Sequence, residues 1–289
     1  MPLDTVVNIL IGGLLTGLIY GLSSLGLSVI FGVVKIVNFA HGEMMVGAMF
    51  LTLVLVRWAG FDPLMWLPLV AIVLFGFGYV LQRYLIERVA HLADYMQFLL
   101  MAAIATTLVA AYLMIFGPDD QSIQVSYSLD SYAIGPLIID KSRVYAAIAA
   151  VAVTALLFLF FRYTLLGKAI RACGDNYMGA LVVGLNVRRL YAFTFGIGAA
   201  CLGAAGAIML VLIDVQPYLG PQYTLLAFVI VIIGGLGSLP GAMLGGILIG
   251  FSEALAGIVI QPSLKSAFSF ALLILVLLLR PQGLLGRRT

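Results

Sequence analysis

Long apolar stretches separated by short polar ones set the pattern of this chain. Runs without a charged residue cover 5–34, 64–82, 95–118, 144–161, 190–213 and 215–252. Each is close to or beyond the roughly 20 residues that carry an α-helix across a bilayer. Two weaker spans lie at 44–56, bounded by Glu43 and Arg57, and at 254–279, interrupted by Pro262 and Lys265. The runs are continuous, so they predict helices; a membrane barrel would show segments of about ten residues with alternating polarity. The fold class expected is therefore an all-α polytopic membrane protein, a bundle of about eight or nine transmembrane helices in a single domain over residues 1–289. Composition agrees, with 63% of the 289 residues hydrophobic and 9% charged and a mean hydropathy of +1.18. The start, Met1-Pro2-Leu3-Asp4, lacks the basic region of a cleaved leader, so the first run is expected to remain as a helix.

The net charge of +3 matters less than where the charges fall. Segment 162–189 carries Arg162, Lys168, Arg171, Arg188 and Arg189 against one acid, and the tail carries Arg280, Arg287 and Arg288 against none. By the positive-inside rule both are expected in the cytoplasm. The loop 117–142 holds Asp119, Asp120, Asp130 and Asp140 and is expected outside. Going from an external loop near 214–222 to a cytoplasmic tail needs an odd number of crossings, which the remaining sequence supplies as three.

Glycine, with 32 residues, recurs at small-xxx-small spacing: Gly13, Gly17, Gly21; Gly196, Ala200, Ala204; Gly241, Gly245; Gly246, Gly250. Such spacing lets helix backbones approach closely in lipid, so the first expectation is tight packing. Two places predict broken helices. In "KIVNFAHGEMMVGAM", 35–49, Lys35, Asn38, His41 and Glu43 interrupt apolar sequence; the other is "GGLGSLPGAMLGG", 234–246. Irregular backbone at membrane depth is tolerated only inside protein or beside a water-filled cavity, and transporters place pathways at such breaks. Asn38, His41, Glu43, Gly234, Gly235, Gly237 and Ser238 are therefore candidate pathway residues. For 237–241 a tight turn explains the sequence as well as a re-entrant segment does.

Chemistry-bearing motifs are absent. His41 and Glu43 are two apart and share no helical face, and no HExxH or nucleophile elbow occurs. Gly167-Lys168-Ala169 lacks the earlier glycine and the Ser/Thr of a phosphate-binding loop, so this chain is expected not to hydrolyse ATP itself. Cys173 and Cys201 have no metal-ligand spacing and read as ordinary small residues. Glu43 and Glu253 are acids at membrane depth, a costly placement, best read as hydrogen-bonded carboxylates near helix ends.

The stretch 171–189, "RACGDNYMGALVVGLNVRR", reads as a short amphipathic helix: Asp175 as N-cap, Met178, Leu181, Val182 and Leu185 as an apolar stripe, and Gly184 as the stop. Periodicity alone leaves two uses open, lying on anionic lipid or filling a groove on a soluble partner.

Three blocks, "LGLSVIFGVVKIVNFAHGEMMVGA", "LLGKAIRACGDNYMGALVVGLNVRRLYAFTFGIGAACLGAAG" and "GGLGSLPGAMLGGILIGFSEAL" with "RPQGLLG", resemble in order and spacing the permease subunits of branched-chain amino-acid ABC importers, the LivH type. The resemblance covers nearly the whole chain. It implies that loop 163–189 is a coupling segment that docks on a cytoplasmic ATPase through Arg171, Asp175, Met178, Leu181, Val182, Gly184, Leu185 and Arg188. It also implies a second, related permease, two ATPases that use ATP and Mg, and an external solute-binding protein. Further implications are a bacterial cytoplasmic (inner) membrane location and no cofactor or nucleic acid bound by this chain. Many relatives carry a lysine before the Ala-Phe found here at Ala227-Phe228, where this chain has Leu226. The function expected is inward translocation of leucine, isoleucine or valine by alternating access. The alternatives are a permease of the same family for urea or short amides, or a stand-alone ion-coupled carrier.

Overall fold

The computed structural model describes residues 3–90, 92–135, 137–259 and 265–286. Two helices form its centre, α1 (Leu3–Val34) and α9 (Val187–Met209), with 78% and 83% of their apolar stretches buried. Around them lie α2 (His41–Ala59) and α3 (Pro63–Leu81), the latter continuing through a π-helical turn at Gln82–Ile86 into the short α4 (Glu87–Val89). Next come α5 (Asp94–Phe116), an antiparallel hairpin of β1 (Ser131–Ile134) and β2 (Leu137–Asp140), and α6 (Lys141–Tyr163). The short α7 (Leu165–Asp175) and α8 (Tyr177–Val182) precede α9, and α10 (Gly220–Gly234), α11 (Leu239–Val259) and α12 (Lys265–Leu279) follow it. Among the described residues, eight helical runs are long and apolar enough to cross a membrane. The apolar part of α12, Ala267–Leu279, is shorter. Pro262, Arg287 and Arg288 lie outside the described residues.

Local chemistry places the helix ends. Asp62 accepts from the Leu64 backbone N–H at 2.8 Å with Pro63 as the first helical residue, which starts α3. The uncharged run 215–252 is cut in two because Gly235 (φ 103°) and Gly237 (φ 79°) turn the chain between α10 and α11, and Ser238 then accepts from Gly241 at 3.2 Å. The break at 234–246 is thus a tight turn, not a re-entrant segment. Small-residue spacing is used for packing: a Cβ added to Gly17 of α1 would lie 2.8 Å from the Gly246 carbonyl oxygen of α11. Glu253, half-buried on α11, accepts from Tyr20 Oη of α1 at 3.2 Å across the same interface. Glu253→Ala should leave that buried hydroxyl unpaired. It is expected to lower the yield and melting temperature of purified protein, at about 1–3 kcal/mol, without changing substrate affinity.

The two ends of the bundle are marked by contacts. At one, the Ile138 N–H of β2 donates to Asn8 of α1 (3.1 Å), Arg57 at the end of α2 donates to Gln121 (2.7 Å), and Gln121 pairs with Val215. At the other, Gly32 of α1 packs on Gly237 in the α10–α11 turn and on Gly174 of α7. Leu284 and Leu285 donate backbone bonds to Ile233 (2.8 Å) and Gly234 (3.0 Å) at this same end. The basic segment 162–189 and the turn 235–238 therefore share one end, and the acidic loop occupies the opposite one.

Candidate functional site

The first predicted break is real and places a helix start inside the bundle. α1 stops at Val34, residues 35–40 are non-helical, and α2 begins at His41. His41 Nε2 lies 3.1 Å from the Ser23 carbonyl oxygen of α1. Ser23 falls about halfway between Gly12, beside Arg143 at one end, and Gly32 at the other, a distance of roughly 30 Å at 1.5 Å per residue. The segment 35–40 therefore runs back along α1, and α2 starts near mid-depth.

Asn38, His41 and Glu43 are all buried there. Asn38 accepts from the Ala40 N–H at 3.1 Å and its amide points at Met44 Sδ (3.6 Å), which fixes the turn into α2. α10 also begins at this point: an added Cβ on Gly42 would collide with the Gly220 carbonyl oxygen, and one on Gly220 would lie 2.8 Å from the Glu43 carboxyl carbon. Thr224 of α10 accepts from the Gly42 N–H (2.8 Å) and donates to Glu43 Oε2 (3.3 Å), while Tyr112 of α5 donates to the Glu43 carbonyl (3.0 Å). The Glu43 carboxylate thus sits where two helix N-termini converge, a place whose exposed N–H groups and dipoles favour an anion. His41 Nδ1 is buried and makes no hydrogen bond with any described residue.

The other pathway candidates lie elsewhere. Gly234, Gly235, Gly237 and Ser238 form the turn at the bundle end, about 15 Å along α10 from Thr224. Two separate features are therefore present, not one. Thr224 and Tyr112 complete the mid-depth cluster, and sequence reasoning missed both: their partners are 181 and 69 residues away, with no local signal.

The stretch 171–189 is built largely as expected, with three corrections. The cap of α8 is Asn176, not Asp175: its side chain accepts from the Gly179 N–H at 2.8 Å, whereas Asp175 closes α7. The stripe is shifted as well. Leu185 is half-buried and packs on the core, Ala180 is the inward residue, and the exposed apolar face is Tyr177, Met178, Leu181, Val182 and Val183. A six-residue helix has room for only one inward turn, so the i+7 position turns back to the bundle. Third, Arg188 is already engaged, its Nε 3.1 Å from the half-buried Glu87 Oε1 of α4; with the arginine itself solvent-exposed, the pair contributes little stability.

Gly184 is the stop, at φ 79°, and it builds a Schellman cap: Leu185 N–H donates to the Ala180 carbonyl and Gly184 N–H to Leu181, each 3.0 Å. α7 buries Gly167, Ile170 and Cys173 against the bundle and exposes Lys168 and Arg171. Cys173 and Cys201 are free and buried, and burial pushes the Cys173 thiol up, which keeps it unreactive. Among the described residues no three His, Cys, Asp or Glu side chains gather as metal ligands would.

Taken together, helices that cross a bilayer, a polar cluster at a mid-depth helix break and an apolar helix presented by a basic end loop define a polytopic membrane transport component. Comparison with known proteins makes this specific. Residues 9–277 match the family described as branched-chain amino acid transport system / permease component, and the chain belongs to that family. It is 35% identical to the high-affinity branched-chain amino acid transport system permease protein LivH of Salmonella typhimurium, over 95% of this chain and 94% of that one. It is 33% identical to the corresponding BraD protein of Pseudomonas aeruginosa, over 96% and 95%. Ribose import permease protein RbsC of Haemophilus influenzae is 29% identical, over 44% of this chain and 42% of its own. No solved structure matches the chain.

Proposed function

We propose that this chain is one permease subunit of an ATP-driven importer that carries branched-chain amino acids inward across a bacterial cytoplasmic membrane. The observation that carries the reading is the likeness to LivH and BraD over nearly the full length of both partners. A rigidly capped apolar helix on a basic loop, as a docking element for another subunit requires, supports it. The basic segment 162–189 then faces the cytoplasm and the acidic loop 117–142 faces outward. A second permease completes the pore, two ATPases bind below and use ATP and Mg, and a solute-binding protein delivers substrate from outside. Energy enters through α8: closure of the ATPases moves it, and α7 passes the movement to α1 through the Gly174–Gly32 contact.

Within the bundle, we place the pathway at Asn38, His41 and Glu43. The unpaired His41 Nδ1 and the helix N-termini around Glu43 offer polar groups at a depth where lipid offers none. Glu43→Gln keeps the shape and removes the charge that the two N-termini favour. It is expected to lower ATP-driven uptake about tenfold, equivalent to ~1.4 kcal/mol, with assembly of the complex unchanged. Normal uptake in purified variants would reduce Glu43 to a structural anchor. The class is tested by leucine uptake into proteoliposomes containing both permeases and the ATPases. Uptake should need ATP, and leucine but not urea should compete. Ionophore-sensitive uptake persisting without the ATPases would overturn the reading in favour of an ion-coupled carrier.

A further inference from the structure

Lys35 stands in a conformation that this chain otherwise gives to glycine. Its φ is 62°, and its N–H donates to the Phe31 carbonyl at 3.2 Å, so it occupies the left-handed position that ends α1. Every other positive-φ residue among those described is a glycine: Gly60, Gly117, Gly135, Gly184, Gly235, Gly237 and Gly283. A Cβ in this region is energetically unfavourable, so a lysine here stands against the local backbone preference. Strain of this kind is informative when the side chain is placed for use.

The side chain lines an open cleft of about 470 Å³. Its walls are aromatic, with Phe31 from α1, Phe39 from the break and Tyr95 and Phe98 from α5; the Phe39 and Phe98 rings meet edge to face at 4.6 Å. Lys35 is exposed and forms no ion pair or side-chain hydrogen bond with any described residue. Among the described residues that line the cleft, none is acidic. α5 is peripheral, with 6% of its apolar stretch buried, so the cleft opens at the edge of the bundle. It lies at the end of α1 where Gly32 meets α7, the end that carries the basic segment.

We propose that this cleft binds the phosphate headgroup of an anionic phospholipid, with Lys35 pairing the phosphate and the aromatic walls holding the start of the acyl chains. Charge decides the ligand. A zwitterionic amino acid would bring its ammonium beside Lys35, where no carboxylate among the described lining residues receives it, and a zwitterionic phospholipid meets the same repulsion. A net anion with an apolar body fits both the cation and the walls, and the membrane surface rich in such lipids is the one that basic segments face.

The test uses the complete transporter complex in nanodiscs of dioleoylphosphatidylglycerol or dioleoylphosphatidylcholine, with retained lipid read by native mass spectrometry after transfer to detergent. Wild type should retain phosphatidylglycerol about tenfold over phosphatidylcholine, and Lys35→Arg should keep that preference. Lys35→Gly should abolish it while melting no lower than wild type, because glycine suits the backbone there; this separates lost binding from lost folding. Equal retention of both lipids by wild type, an undiminished preference in Lys35→Gly, or displacement of the lipid by excess leucine would overturn the proposal. The last result would assign the cleft to the transported substrate.

Discussion

Membranes containing the Val182→Asp variant are expected to hold the permease at wild-type levels but to yield little co-purifying ATPase and no substrate-stimulated ATP hydrolysis. Val182 is 85% exposed on α8, so the carboxylate meets water in the free subunit and folding is untouched. In a complex the same carboxylate would be pressed against apolar walls, and an uncompensated charge buried at an interface costs several kcal/mol. A loss of at least 2 kcal/mol corresponds to about thirtyfold weaker association. Leu181→Asp should behave alike, with a larger effect on the permease itself because Leu181 is only 45% exposed. The competing use of α8 is as a helix lying on anionic lipid, and it predicts the reverse: one apolar position would matter little beside the flanking Lys168 and Arg171. Full stimulated hydrolysis in Val182→Asp would establish that competing use.

The second large effect is expected at Gly42→Val, where α2 and α10 begin against each other. A Cβ there collides with the Gly220 carbonyl oxygen and lies 2.7 Å from Thr224 Oγ1, which itself receives the Gly42 N–H. Backbone cannot yield as a flexible side chain does, so the helices must separate and the Thr224–Glu43 bond is lost with them. Overpacking of this kind costs about 3 kcal/mol, which should lower the melting temperature of the purified complex by roughly 6–12 °C and abolish transport. Gly76→Ala on α3 is the control, since nothing lies within 4 Å of its added Cβ; it should melt as wild type does. If Gly42→Val transports normally, the close crossing at the mid-depth break plays no part in the mechanism.

Both variants touch features whose outlines are visible in one dimension. The apolar helix between Arg171 and Arg188 is legible because its stop, Gly184, is a local requirement for φ > 0, and because short-range periodicity needs no knowledge of neighbours. Its exact face is not legible, since whether Leu185 points out or in depends on how α8 sits on α9. The same limit explains the cap: Asp175 and Asn176 are both good caps, and the end of α7 settles which of them serves.

The sequence by itself determined the fold class. Apolar runs of bilayer length without the alternating polarity of barrel strands must be helical in lipid, because a helix is then what pairs every backbone N–H and C=O within its own segment, and that constraint operates before any tertiary contact forms. It also determined where α1 breaks, because Lys35, Asn38, His41 and Glu43 cluster too closely to continue an apolar helix. Tertiary structure decided what those residues do. Glu43 becomes a paired carboxylate at mid-depth only through Thr224 of α10 and Tyr112 of α5. It likewise decided that Gly234–Ser238 forms an end turn remote from that cluster, and that Lys35 faces an aromatic cleft. These outcomes depend on which helices become neighbours. In lipid that choice rests on close packing of small residues, such as Gly17 on Gly246 and Gly42 on Gly220, whose partners lie far away in the chain.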